Sequence, residues 1–185
     1  MSENKKVAVV VGSLRKDSFS LKIAHALTAL APAHLTFDFV DFSKLPFFTQ
    51  DLEATPPAEW TRFRDEIKAA DAVLFVTPEY NRSVPGALKN AIDVGSRPYG
   101  HSVFNGKPAA VISTSIGAVG GFGANHHLRQ SLAFLNMAVL AQPEAYIGGT
   151  GGLFEEDGTL SNEGTRDYLK AFAAAFAGFI AKHKS

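Results

Sequence analysis

Residues 6–20, K-V-A-V-V-V-G-S-L-R-K-D-S-F-S, join a continuously apolar run to a loop of small, polar and cationic residues. The run is rich in β-branched valine, which is typical of a strand buried on both faces in a parallel sheet. One glycine and three serines follow, and apolar residues with helical spacing begin after them. The stretch therefore predicts a strand, a loop that can bind an anion, and a helix, in that order.

Four further apolar runs predict strands at 35–42, 72–77, 108–114 and 138–147. Apolar residues with helical spacing lie between and after these runs: Ile23, Leu27 and Leu30; Phe63 and Ile67; Leu88 and Ile92; Leu128, Leu132 and Leu135; and Phe172, Phe176, Phe179 and Ile180. Strict alternation of strands and helices predicts a three-layer α/β sandwich with right-handed crossovers. In such a sheet, ligands bind beyond the carboxyl ends of the strands.

The composition bounds the classes of function. A length of 185 residues predicts one domain over 1–185, and the 18 basic and 18 acidic residues balance, so no overall charge favours nucleic acid or an anionic membrane. The chain has no cysteine, which excludes thiol redox chemistry and cysteine nucleophiles and leaves redox work to a bound cofactor. No run has the length of a membrane span or of a signal-peptide core, so we expect a cytoplasmic protein.

The loop after the first strand has the chemistry of a phosphate site. Backbone N–H groups, the positive end of a helix, three hydroxyls and the Arg15 guanidinium suit a terminal phosphate monoester. A dinucleotide loop needs G-x-G-x-x-G, of which only the first glycine, Gly12, is present. The alternative interpretation is that Ser18 or Ser20 caps the helix and Arg15 is solvated.

Two more loops follow neighbouring predicted strands. P-E-Y-N-R-S-V-P-G at 78–86 offers an aromatic ring, an amide and backbone groups to a flat ring with a uracil-like edge. S-I-G-A-V-G-G-F-G at 115–123 lets the backbone lie close to a ligand and present successive N–H groups to negative charge. Each loop alone is ordinary, but the three together predict one crevice for an elongated mononucleotide.

In order and spacing, these three motifs resemble the NADPH-dependent FMN reductase family, in particular its chromate and quinone reductase branch, over roughly residues 6–150. The resemblance implies a flavodoxin-like fold with five parallel strands in the order 2-1-3-4-5. It implies bound FMN, NADPH or NADH as co-substrate, and small-molecule acceptors such as quinones, free flavin or chromate. It also implies a homodimer or homotetramer, and because the flavin N5 would carry the chemistry, no side chain is predicted to be catalytic.

Site residues follow from the same resemblance. The phosphate is assigned to Ser13, Arg15, Ser18, Phe19 and Ser20. The isoalloxazine is assigned to Pro78, Glu79, Tyr80 and Asn81, and its pyrimidine edge to Ser115, Gly117, Gly120 and Gly121. Arg82 departs from the family, whose members often carry an aromatic residue there. Asn81 and Arg97 are predicted to face the acceptor, Arg97 from the helix that begins near Gly86 and toward the flavin of a partner subunit. The alternative interpretation is that Arg97 is a solvated arginine at the end of that helix, where the dipole favours a cation.

One alternative from another class stays open. An electron-transfer protein of the flavodoxin type would use the same fold without oxidising NAD(P)H itself, although such carriers present a charged docking face and this chain is neutral. No metal site is predicted from the six histidines, because the neighbours His126 and His127 point in different directions on a helix and no ligand spacing recurs.

Overall fold

The protein is described by a computed structural model over residues 3–183. The strands are β1 (Lys5–Val11), β2 (Leu35–Phe39), β3 (Ala72–Pro78), β4 (Pro108–Thr114), β5 (Ala138–Val139) and β6 (Ala145–Ile147). The α-helices are α1 (Phe19–Leu30), α2 (Ala58–Lys68), α3 (Gly86–Gly95), α4 (Phe122–Phe134) and α5 (Glu163–Lys182). Single 3₁₀ turns lie at Gln50–Leu52 and Thr150–Gly152.

All strands are parallel, and their order is β2-β1-β3-β4-β5, with β6 also paired to β4. The predicted order 2-1-3-4-5 and the three-layer arrangement are therefore confirmed. Helices α1 and α5 cover one face of the sheet, and α2, α3 and α4 cover the other. This order places the carboxyl ends of β1, β3 and β4 side by side.

The prediction of one strand over 138–147 is wrong, because the structure has two short strands there, each paired with β4. Pro143 lies between them and has no N–H to donate to a ladder, which accounts for the interruption. The predicted strand 35–42 is also too long and ends at Phe39. Just beyond it, the Asp41 carboxylate accepts from the Ser43 N–H at 2.9 Å and turns the chain.

Each face of the sheet is packed with the predicted apolar stripes. Val7 and Val9 point toward α1 and α5, whereas Ala8 and Val10 point toward α2 and α3. Phe172 and Phe176 of α5 are fully buried on the first face, so they belong to the core. Burying a side chain of this size contributes about 2–3 kcal/mol to stability. No helix among the described residues is both long and apolar enough to cross a lipid bilayer.

The irregular segment 43–58 is fixed against α3. Asn90 of α3 accepts from the Phe48 N–H at 2.8 Å and donates to the Pro46 carbonyl at 3.2 Å. The indole N–H of Trp60 donates to the same carbonyl at 2.9 Å. These bonds hold the segment over the helix while Phe47 remains 80% exposed at its surface.

Candidate functional site

Three loops meet at the carboxyl edge of the sheet, at 12–18, 79–85 and 115–121, as the sequence predicts. Directly after the first loop, Ser20 of α1 is joined to the end of β4 by a hydrogen bond of 2.7 Å between the Ser20 and Thr114 hydroxyls. The second is joined to the start of α4, where the Glu79 carboxylate accepts from the Ala124 N–H at 3.1 Å. The loops therefore form one surface whose parts are tied to each other.

The loop after β1 begins at a position that requires glycine. A Cβ on Gly12 would lie 2.7 Å from the Thr77 hydroxyl, so the chain can turn here only without a side chain. Ser18 is the N-cap of α1, and its hydroxyl accepts from the Leu21 N–H at 3.3 Å. Capping by Ser18, the alternative interpretation of this loop, is thus present, whereas the buried Ser20 hydroxyl is engaged by β4.

Arg15 lies exposed above this loop. One guanidinium nitrogen donates to the Asp17 carbonyl at 2.8 Å, and the group lies 5.8 Å from the centre of the Phe19 ring. Within residues 3–183, no carboxylate forms a salt bridge with Arg15. The first turn of α1 also contains no acidic residue. The Arg15 guanidinium, the N-terminus of α1 and the half-buried Ser13 are therefore available to an anion at one place, whereas the Ser18 and Ser20 side chains are buried and already hydrogen-bonded.

The loop after β3 is a tight hairpin turn. Tyr80 and Ser83 exchange both backbone hydrogen bonds, at 2.9 and 3.0 Å. The two residues between them, Asn81 and Arg82, have φ of 52° and 63°, which defines a type I′ turn. Such values cost a residue with a side chain about 1–2 kcal/mol, so the surrounding contacts must hold the turn. The exposed Tyr80 ring and the Asn81 amide are thereby presented at its tip.

Glu79 explains how the unusual Arg82 is accommodated. Its carboxylate accepts from Arg82 at 3.1 Å on one oxygen and from the first turn of α4 on the other. The N-cap of α4 is Gly121, which has no side chain, so Glu79 supplies the negative charge that a helix N-terminus favours. The Glu79 side chain is therefore engaged by the protein itself, and its predicted place along the isoalloxazine stays a prediction.

The loop after β4 is held by close backbone contacts. Gly120 has a φ of 64°, and a Cβ there would lie 2.5 Å from the backbone of Tyr146. Gly148, which follows β6, packs equally closely against this loop, because a Cβ there would lie 2.6 Å from the Ala118 carbonyl oxygen. The N–H of Gly117 donates to the Ser115 hydroxyl at 3.1 Å. The loop can thus approach a ligand only along its exposed stretch, 116–119.

A buried polar network beneath this loop was missed by the sequence analysis. Asn125 of α4 is fully buried. Its amide nitrogen donates to the Ser113 hydroxyl at 3.3 Å and to the Ala145 carbonyl at 3.2 Å. Its amide oxygen accepts a hydrogen bond from Arg129 at 2.8 Å. Ser113 in turn donates to the Gly120 carbonyl at 2.7 Å. Helical spacing from Leu128 was the signal that could have placed Asn125 on the buried face.

Arg97 does not lie on α3, which ends at Gly95, so the prediction that the helix carries it is wrong. Its guanidinium lies 5.4 Å from the centre of the Phe48 ring. Together with Ser83 and His127 it lines a groove of about 1090 Å³ between α3 and α4, the α3–α4 groove. The structure therefore brings the residues of the three loops together but places Arg97 in a different cavity.

The histidines of α4 have polar partners. His126 shares a hydrogen bond of 2.9 Å with the Tyr146 hydroxyl, and His127 shares one of 2.9 Å with Ser83. Burial, and then a hydrogen bond to Glu144, raise the pKa of Tyr146 to about 12. Within the described part of the chain, no three His, Cys, Asp or Glu side chains are grouped so that they could hold a metal ion.

Comparisons with known proteins identify the family of this chain. The model of the NADPH-dependent FMN reductase family matches residues 5–151. The chain is 60% identical over 181 residues to a quinone reductase of Pseudomonas putida, with 97% of each chain covered. It is 48% identical over 175 residues to a 2-hydroxy-1,4-benzoquinone reductase of a Burkholderia species, with 95% of this chain and 96% of the relative covered.

A solved structure gives the same result. The flavoenzyme NAD(P)H:(acceptor) oxidoreductase of Paracoccus denitrificans superposes with a TM-score of 0.92 at 44% identity. The superposition covers 98% of this chain and 100% of that one. Sequence and fold therefore point to the same group of proteins over nearly the whole chain.

Proposed function

Because the chain belongs to the NADPH-dependent FMN reductase family, we propose that it is an FMN-dependent NAD(P)H oxidoreductase that reduces quinones. The observation that carries the proposal is the meeting of three loops at one sheet edge: a cationic serine loop, a hairpin turn with an exposed ring, and a glycine loop. Relatives named as quinone reductases support the choice of acceptor.

The residues present fit FMN. A phosphate monoester needs charge and several donors, which Arg15, the serines and the α1 N-terminus supply without an acidic residue in the first turn. A flat ring needs an open slot, which the exposed Tyr80 and the stretch 116–119 border. When bound there, FMN would supply the chemistry of hydride transfer from NAD(P)H and two-electron reduction of the acceptor.

The protein's own residues bind and orient in this proposal. Ser13, Arg15 and Ser18 hold the phosphate, with Phe19 and Ser20 behind them. Pro78, Glu79, Tyr80 and Asn81 border the ring through the hairpin turn. Ser115, Gly117, Gly120 and Gly121 shape the loop at the pyrimidine edge, where backbone N–H groups stabilise negative charge. The interlocked backbone around Gly120 keeps these donors in place before the ligand arrives.

Acceptors beyond quinones follow from the open mouth of the crevice. Tyr80, Ile116 and Val119 are 50%, 76% and 60% exposed, so apolar side chains on two of the three loops are open to solvent. Exposed apolar surface discriminates weakly between planar acceptors such as quinones and free flavin. We therefore include free flavin among the acceptors, with quinones as the preferred class, and chromate, which is an anion, where Arg97 of the partner subunit supplies positive charge.

Spectra and rates of the purified protein test the proposal. We expect flavin absorption bands, FMN as the released chromophore, and NAD(P)H oxidation that accelerates when a benzoquinone is added. A protein that binds FMN but oxidises neither NADPH nor NADH would be an electron carrier of the flavodoxin type. A protein that shows no flavin bands after incubation with FMN would refute the assignment altogether.

We also propose that two copies pair through the α3–α4 groove. Tyr99 and Phe134 line it and are 85% and 84% exposed, and large aromatic side chains beside a groove of about 1090 Å³ are typical of a contact surface. In such a pair, Arg97 approaches the partner subunit's FMN and offers charge to an anionic acceptor. Light scattering should give a dimer or tetramer that Phe134→Asp dissociates, and a monomeric wild type would refute the pairing.

A further inference from the structure

A second cation lies beside the proposed phosphate loop. Lys22 is on the second turn of α1, and its ammonium nitrogen lies 5.7 Å from the centre of the Phe19 ring and 5.7 Å from that of Phe154. The two rings are stacked, with their centres 6.4 Å apart. Arg15 lies against the same Phe19 ring. The cluster of Arg15, Phe19, Lys22 and Phe154, here called the aromatic clamp, thus holds two positive charges at the start of α1.

Two positive charges beside a helix N-terminus are electrostatically unfavourable unless an anion binds near them. The N-terminus of a helix carries a partial positive charge, so cations beside it are unfavourable and an anion is favourable. Within residues 3–183, no carboxylate forms a salt bridge with Lys22. The first turn of α1 has no acidic residue that would offset the charge.

The direction of the Lys22 side chain also bears on where an anion would bind. Helical side chains lean toward the N-terminus of their helix, so Lys22 reaches back over the turn formed by Ser18 and Phe19. Its side chain is half-buried, and its ammonium nitrogen lies over the ring of Phe19, the residue that follows the Ser18 N-cap. A phosphate bound at the Ser18 turn would therefore receive charge from two sides.

Phe154 lies in a short hairpin that is anchored to the protein core. The segment 148–164 reads as a surface excursion in the sequence, but Phe154 pairs with Leu160 across a β-bridge, and Leu160 is only 7% exposed. The Glu155 N–H donates to the Thr159 carbonyl at 2.9 Å, and the Ser161 N–H donates to the Leu153 carbonyl at 3.0 Å. The ring is therefore held by regular hydrogen bonding and a buried residue.

We propose that Lys22 is a second phosphate-recognising cation of the FMN site and that Phe154 is the residue that positions it. This rests on the proposed function and extends it to a part of the chain that the phosphate motif does not include. Arg15 would meet the phosphate from the loop and Lys22 from the helix, and both cations lie beside the Phe19 ring. The hairpin around Phe154 then closes the phosphate end of the crevice.

Comparing FMN with riboflavin isolates the phosphate. Equilibrium dialysis of the full-length chain gives a Kd for each, and riboflavin lacks only the phosphate group. We expect Lys22→Gln to weaken FMN binding about tenfold and to leave riboflavin binding unchanged, because the lost contact is charge-assisted. The effect should shrink as salt is added, since the site lies near solvent. Lys170→Gln, at an exposed lysine of α5, is the matched control and should change neither Kd.

Phe154→Leu keeps the charge but removes the ring. We expect FMN to bind about threefold more weakly, with riboflavin again unchanged, because Lys22 loses one of the two faces that orient it. Thermal unfolding of each variant separates this from loss of the fold. An unchanged ratio of FMN to riboflavin affinity in Lys22→Gln, or an equal loss for both ligands, would overturn the proposal while leaving the FMN site intact. A wild-type chain that binds neither ligand would overturn the proposed function and this extension together.

Discussion

Replacing Asn125 with leucine tests the network beneath the glycine loop. The side chain is fully buried, and leucine keeps its branched shape and its number of heavy atoms without its polar groups, so the change leaves no cavity. What it removes is a set of three hydrogen bonds: two donated to Ser113 and Ala145, and one accepted from Arg129. The variant therefore measures what these bonds contribute.

The magnitude follows from the partners. The bond from Arg129 at 2.8 Å is charge-assisted and is worth about 1.5–3 kcal/mol, and each neutral bond about 0.5–1.5 kcal/mol. Burying the apolar leucine side chain offsets part of this, by about 1–2 kcal/mol. Arg129 also donates to the Leu140 carbonyl at 2.9 Å, but its second terminal nitrogen is buried without a hydrogen-bond partner in the described residues, so loss of Asn125 would leave a second guanidinium nitrogen without a partner. We expect a net loss of about 2–4 kcal/mol in the free energy of unfolding.

Urea unfolding followed by circular dichroism supplies the measurement. Gln50→Leu is the matched control, because it makes the same kind of amide-to-leucine change at an exposed position and should stay within about 0.5 kcal/mol of wild type. The transition midpoint of Asn125→Leu should fall without a change in its slope. A loss below about 1 kcal/mol would show that the network adds no net stability, and the reasoning from buried polar groups would be wrong.

Three further outcomes are expected. Arg15→Ala should weaken FMN binding about 30- to 150-fold, equal to about 2–3 kcal/mol. Because the side chain is exposed, the free energy of unfolding should stay within about 0.5 kcal/mol of wild type. The neighbouring control Lys16→Ala should leave the Kd for FMN unchanged, and an unchanged Kd in Arg15→Ala would contradict the prediction. Initial rates at several fixed quinone concentrations should give parallel double-reciprocal lines if, as we propose, nicotinamide and acceptor bind in turn at one open face by Tyr80 and Asn81. Intersecting lines would show a ternary complex. The pKa of Tyr146 is raised from its ordinary value of 10.0 to about 12, so its contribution to stability is complete below pH 10 and is lost as pH rises through 12. In Tyr146→Phe, the free energy of unfolding should therefore fall less steeply between pH 10 and 12. A slope equal to that of wild type would contradict the raised pKa.

The layout of the molecule was predictable from local patterns. Continuous apolar runs mark β1, β3 and β4 because strands buried on both faces need no polar residues, and the stripes between them mark helices by their period. The three loops that meet at the sheet edge were predictable for the same reason, since parallel strands place their carboxyl ends together. Where a residue breaks the local pattern, as Pro143 does, prediction of the strand fails at that residue.

What these loops contact was decided only by the tertiary structure. Glu79 caps a helix 45 positions along the chain, and the ring of Phe154 reaches Lys22 from a segment that reads as a surface loop. Periodicity shows that Asn125 faces inward, but the identity of its partners depends on which strand lies beneath it. Hydrophobic spacing specifies which face of an element is buried, because the period of a helix or strand determines which neighbouring side chains share a face. A hydrogen bond or a stacked pair needs two residues at a fixed distance, and for residues far apart in sequence only the packed fold sets that distance.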